Sequence, residues 1–165
     1  MNTTKQKILS ILDHVMDPEI PVLSVMDLGI IREVTLDDSI DPPAGKWEIA
    51  ITPTYSGCPA MDVIAINIRM ALIQNGFKNF TIRQQLSPAW TTDWMTEKGK
   101  EQLRSYGIAA PIGKSTDDAS PSKEVPCPLC LSVNTKLLSQ FGSTACKALY
   151  QCLNCREPFD YFKCH

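Results

Sequence analysis

This sequence lacks an excess of charge of one sign, has almost no histidine, and contains no membrane-length apolar run. Sixteen basic residues stand against eighteen acidic ones in a chain of 165, a net charge of −2. Such a balance offers no basic footprint, so neither nucleic acid nor an anionic membrane is expected as a partner. The opening MNTTKQKILSILDHVMD turns apolar, but Asp13 and His14 interrupt it before it could span a bilayer or serve as a signal segment. A cytoplasmic protein is therefore expected. His14 and His165 are the two imidazoles available, and neither stands in a setting that suits a catalytic base, which argues against a cysteine protease. Also missing are a glycine-rich nucleotide or flavin fingerprint and the Glu-x-x-His helical pairs of a di-iron carboxylate bundle.

What is present is 44% hydrophobic residues, enough for one domain of ordinary size and a small appendage. TTKQKILSILDHVMD places Ile8, Leu12, Val15 and Met16 on one helical face before Pro18. IIREVTL and KWEIAIT read as two strands of a hairpin around the turn DDSIDPPAG, with Trp47, Ile49 and Ile51 sharing a face. A helix from about Pro59 to Asn75 follows, with proline at its favoured first position and Gly76 as its stop. Val63, Ile66, Met70 and Ile73 fall at helical spacing and mark its expected apolar face. FTIRQQL is a third strand, joined to the second by a right-handed crossover and so parallel to it. The order predicts a small α/β sandwich with a mixed sheet, followed by a short helix within TTDWMTEKGKEQLRSYG. Residues 107–125 are rich in Gly, Pro, Ser and Asp without apolar periodicity, which predicts a flexible linker between a domain 1–106 and a cysteine-rich domain 126–165.

Six of the seven cysteines lie after position 126. An odd number of thiols in a reducing compartment points to metal rather than disulfides. Cys127 and Cys130 form one C-x-x-C knuckle, Cys152 and Cys155 a second, and residues 131–151 separate them. Two such knuckles complete a tetrahedral sulfur site and predict a zinc-ribbon-like β subdomain whose metal supplies the folding free energy that so short a segment cannot bury. Zinc suits four thiolates, and iron or an iron–sulfur cluster suits them as well. Cys146, Cys164 and His165 are left over, either as packing and terminal residues or as ligands of a further metal.

The remaining cysteine, in TPTYSGCPAM, precedes the proline that opens the long helix. At a helix N-terminus, free N–H groups and the helix dipole favour a thiolate, so Cys58 is a candidate nucleophile or metal ligand. The alternative is a small apolar residue at a strand–helix junction. Asp17, Glu19 and Asp27 flank two loops that could lie near it, and capping or turn chemistry is the other reading, above all for Asp17 before Pro18. Trp90 and Trp94 read as core or interface aromatics.

DPEIPVLSVMDLGII, TPTYSGCP and SPAW together resemble the metal-sulfur cluster biosynthetic family, which includes the SufT-like proteins of iron–sulfur assembly. The matching positions are Asp17, Pro18, Glu19, Asp27, Leu28, Gly29, Thr52, Cys58, Pro59 and Trp90. With the tail FGSTACKALYQCLNCREPFDYFKCH, the whole chain resembles the accessory proteins of bacterial phenylacetate degradation. That resemblance implies a role around the multicomponent phenylacetyl-CoA 1,2-epoxidase, whose di-iron oxygenase works with a flavin reductase carrying a [2Fe-2S] centre. It implies a maturation factor in which Cys58 transiently holds iron or a cluster, received from an iron–sulfur donor and destined for the reductase. Asp17, Glu19, Asp27 and Thr52 would support that thiol, and the ribbon would recognise the client or donor. A docking component of the epoxidase and a redox-active thiol or electron-transfer component are the alternatives.

Overall fold

The computed structural model describes residues 3–40, 45–113 and 124–163. The chain divides into two compact units, one ending at Trp90 and the other beginning at Thr91.

In the first unit, helix α1 (Thr3–Leu12) buries Ile8 and Leu12, one helical turn apart. Val15 continues that face, whereas Met16 turns outward, because the helix ends at Leu12 and the chain is no longer helical there. The loop that follows is tightly built. Asp17 Oδ1 accepts from the N–H groups of Glu19 and Ile20, at 2.8 and 2.7 Å, and Val25 N–H donates to Val15 O at 2.8 Å. These bonds let Ile20, Leu23, Val25, Leu28 and Ile30 all enter the core.

Strands β1 (Ile31–Asp37) and β2 (Lys46–Ile51) form the expected antiparallel hairpin, with Val34 opposite Ile49. Strand β3 (Phe80–Gln84) pairs in parallel with β2, Ile49 opposite Ile82, giving the mixed order β1-β2-β3. Trp47, Ile49 and Ile51 are buried as their alternation predicts. Leu86, the last residue of the stretch FTIRQQL expected as the third strand, lies past the end of β3 and is exposed.

Helix α2 (Ala60–Gln74) makes the crossover between β2 and β3. Its buried residues are Ala60, Met61, Ile64, Ile68 and Leu72. Val63, Ile66, Met70 and Ile73, the face expected to pack, are instead 43, 55, 53 and 53% exposed. Both sets recur at helical spacing, so periodicity alone could not choose between them. The buried set includes Ala60 and Met61, so α2 turns this side to the core from its first turn onward.

In the second unit a 3₁₀ turn (Thr92–Trp94) precedes helix α3 (Glu97–Ser105), whose N-cap Thr96 accepts from Gly99 N–H at 2.9 Å. Gly107, at φ +89°, ends α3 and hands the chain to β4 (Ile108–Ala109). Strand β4 pairs in parallel with β7 (Pro158–Phe162), which joins β6 (Lys147–Cys152) and then β5 (Thr135–Ser139) in an antiparallel ribbon. Of the stretch 107–125, residues 108–110 and Val125 are thus buried parts of this unit, and 114–123 lie outside the described residues. Tyr150 stacks on Phe159 and meets Tyr161 edge-on, and these rings build a small core with Ala109, Val125, Ala148, Cys127 and Cys152.

Candidate metal centre and isolated thiol

Each C-x-x-C pair sits in a turn of the same construction. Cys127 N–H donates to Ser132 O at 2.9 Å and Cys152 N–H to Glu157 O at 3.0 Å, five residues on in both cases. The residue after each second cysteine, Leu131 or Arg156, takes a left-handed conformation, φ 62° and 69°. The two turns are tied together by Leu153 N–H to Asn134 O at 2.8 Å and Asn134 Nδ2 to Asn154 Oδ1 at 3.0 Å. Neither asparagine stood out in the sequence, because the spacing of cysteines says nothing about what links the turns.

The result is a four-sulfur cluster. Cys127 Sγ lies 3.8 Å from Cys155 Sγ, Cys130 Sγ lies 3.5 Å from Cys152 Sγ, and all four sulfurs fall within 4.8 Å of one another. A metal–sulfur bond of about 2.3 Å in tetrahedral geometry requires a sulfur–sulfur edge of about 3.8 Å. The four thiols therefore fit one tetrahedral metal ion. Cys127 and Cys152 are fully buried, so the same side chains floor the ribbon core.

The electrostatics agree with a cation site. The Cys155 N–H holds the Cys152 thiol down to about 6 against the opposing effect of burial, with help from the Asn154 N–H and from Cys130. The Glu157 N–H also favours a Cys155 thiolate, but burial and the crowding of Cys152, Cys130 and Cys127 outweigh it and push Cys155 up to about 12. Four thiols so close cannot all ionise alone, and a bound cation removes that conflict.

Cys146 does not join them. It precedes β6 at the end remote from Cys152, is buried, and has Thr144 Oγ1 3.0 Å from its Sγ. Six strand residues set the two cysteines roughly 20 Å apart. Cys164 and His165 lie outside the described residues.

Cys58 stands by itself in the first unit, half-buried. Gly57, at φ +78°, turns the chain so that Cys58 N–H reaches Tyr55 O at 3.2 Å, and the Cys58 carbonyl then accepts from Met61 N–H in the first turn of α2. Helix α2 has no side-chain cap, so its first N–H groups face the junction where the thiol sits. Six residues earlier, Thr52 is buried and its hydroxyl has no hydrogen-bond partner. Its N–H donates to Ile30 O at 2.9 Å, and Trp90 Nε1 donates to Leu28 O at 2.8 Å, so the strand end, the Asp27–Ile30 segment and Trp90 are joined.

The acidic residues build the loops. Asp17 organises its own turn, as described above, with Glu19 half-buried at its edge. Asp27 Oδ2 accepts from Ser24 Oγ at 3.0 Å while Asp27 N–H donates back to that hydroxyl. Buried Ser24 was not singled out in the sequence, since a serine three residues before an aspartate is common in turns. Among the described residues the four tail cysteines are the one set of three or more His, Cys, Asp or Glu close enough together to hold a metal ion.

Comparison with known proteins divides the chain in the same way. Residues 5–75 match the family described as iron-sulfur cluster assembly protein, and residues 112–163 match the PaaD zinc beta ribbon domain. An Escherichia coli (strain K12) protein, provisionally named as one of the subunits of 1,2-phenylacetyl-CoA epoxidase, is 53% identical over 158 residues, 96% of this chain and 92% of its own. A protein of Porphyromonas gingivalis named Fe-S protein maturation auxiliary factor is 37% identical over 101 residues, 61% of this chain and 90% of its own. The crystal structure of a DUF59 domain of unknown function from Bacillus anthracis has a TM-score of 0.53 at 25% identity, covering 60% of this chain and 90% of its own.

Proposed function

The chain belongs to the PaaD family, and from that membership we propose that it is an accessory factor that matures the iron–sulfur cluster of a phenylacetyl-CoA 1,2-epoxidase reductase. One observation carries the reading. Four of the seven cysteines serve one another in the ribbon, whereas Cys58 stands half-buried and apart from them in the assembly domain, beside an uncapped helix. A resident cofactor needs a full ligand set, whereas cargo that must be passed on needs an incomplete one.

In this reading Cys58 gives up its proton and binds iron, or one corner of a cluster, as cargo from an iron–sulfur donor. It is then displaced as the reductase's own cysteines take over the metal. Ligands exchange and no electrons need move. Thr52, whose buried hydroxyl lacks a partner, offers a hydrogen bond to what Cys58 holds, and the turns closed by Asp17 and Asp27 keep the surrounding loops in place. Glu19 is the polar edge of that surface. Zinc occupies the Cys127, Cys130, Cys152 and Cys155 site as a structural cross-link, a role that suits a redox-inert ion in a closed four-thiolate set. The ribbon then docks the reductase or oxygenase components.

The test is the iron and acid-labile sulfide content of the reductase, purified anaerobically from cells with this protein, without it, or with Cys58→Ala. Loss of cluster in both altered strains supports maturation through Cys58. A fully loaded reductase in all three overturns it and leaves a docking component of the epoxidase, in keeping with the name of the Escherichia coli relative.

A further inference from the structure

Each C-x-x-C turn fixes its own two sulfurs, but neither fixes where the other turn lies. The ladder between β5 and β6 relates the two only as far as Thr135 opposite Cys152. Beyond that pair, Asn134 carries the connection into the second turn. Its C=O accepts from Leu153 N–H at 2.8 Å, and its Nδ2 donates to Asn154 Oδ1 at 3.0 Å. Its own N–H donates to Ser132 Oγ at 3.1 Å, and Ser132 O takes the Cys127 N–H. On the far side, the N–H groups of Asn154 and Cys155 are hydrogen-bonded to the Cys152 sulfur. One chain of bonds therefore runs from the N–H of a ligand in the first turn to the sulfur of a ligand in the second, with the two asparagine side chains near its middle.

Both asparagines are exposed, so the pair adds no apolar burial. What it governs is the separation of the turns, and with it the two sulfur contacts that cross between them, Cys127 to Cys155 at 3.8 Å and Cys130 to Cys152 at 3.5 Å. Because each turn keeps hold of its own two ligands, a bound ion leaves when the turns part. A bond that joins the turns outside the metal opposes that motion, as partners behind the ligands do at metal sites in general.

We infer that Asn134 and Asn154 are positioning residues for the ribbon's metal, a side-chain clasp that keeps the two ligand turns closed and slows release of the ion. The inference rests on the metal occupancy given to this site above and is independent of the role assigned to Cys58.

The test is the chelator-independent rate at which the zinc-loaded full chain gives up its metal to an excess of chromogenic chelator. Asn134→Leu and Asn154→Leu should each speed release by about three- to tenfold, the factor that one neutral hydrogen bond supplies. The double variant should be no faster than either single one, since the second change finds the bond already gone. Asn154→Asp keeps an oxygen for Asn134 Nδ2 and should release at nearly the wild-type rate, which a general effect of altering that surface would not allow. In every variant the thiolate charge-transfer bands of bound cobalt(II) should match wild type, showing that all four sulfurs still bind. Unchanged release in the two leucine variants, additive effects in the double variant, or fast release from Asn154→Asp overturns the clasp while leaving the metal site standing. A wild-type chain that takes up neither zinc nor cobalt overturns the metal reading and the clasp with it.

Discussion

Trp90 illustrates what a single residue conceals. Its bulk marked it for a core, and it is buried, but its indole N–H is spent on Leu28 O, 62 residues away in sequence, a partner that no local pattern reveals. Trp90→Phe keeps most of the apolar surface and leaves that buried carbonyl unpaired, which should cost about 1–3 kcal/mol in urea unfolding. An unchanged midpoint would show that water replaces the indole. Gly57 carries a different constraint. A Cβ there would meet nothing within 4 Å, so space is free and only the left-handed φ of +78° stands against a side chain. Gly57→Ala should therefore cost about 1–2 kcal/mol, and it should also alter the alkylation rate of Cys58, because the turn sets where that thiol points. Gly57 did not stand out in the sequence, because one glycine before a cysteine carries no sign of φ.

At the scale of elements, the hairpin was legible because alternation has one buried solution on a half-covered sheet, the parallel crossover because such connections are right-handed, and the ribbon through its paired C-x-x-C knuckles. Helix α2 was not, since apolar residues occupy two opposite faces and the sequence holds no polar stripe to break the tie. The two faces make opposite demands on stability. Ile68→Ala should cost about 2–5 kcal/mol as a core truncation. Ile66→Ala, two residues earlier on the exposed side, should stay within about 0.5 kcal/mol in dilute solution. Equal losses at the two positions, read from urea midpoints, would mean that the outward face of α2 is covered within a single chain. Strand β4 was hidden for another reason. Two residues are too few for a period, and Ile108 and Ala109 gain their place from pairing with β7, about fifty residues later.

Across the whole molecule, the two units rest on different sources of stability. The first buries a run of large aliphatic side chains from two helices, strands β1 and β2 and the Asp17–Ile30 loop. The ribbon core is eight buried residues, two of which, Cys127 and Cys152, belong to the four-cysteine group able to hold a metal ion. Its four-cysteine cluster was the most legible feature of the sequence, because two C-x-x-C turns bring their thiols together locally, whereas TPTYSGCPAM offers no second thiol beside Cys58. Without a cation, the ribbon must hold four crowded sulfurs together, with Cys152 favoured as the thiolate and Cys155 kept protonated, and it loses the cross-link between its two turns. Metal binding is then folding free energy for this unit alone. A chelator strong enough to strip a four-thiolate site should speed amide hydrogen exchange throughout β5, β6 and β7 while leaving β1, β2 and the buried side of α2 protected, and zinc should reverse the change. Cys127→Ser should reproduce the loosened ribbon without chelator. Uniform loss of protection in both units would mean that they unfold together, and no loss in either would mean that the aromatic cluster of Tyr150, Phe159 and Tyr161 holds the ribbon by itself.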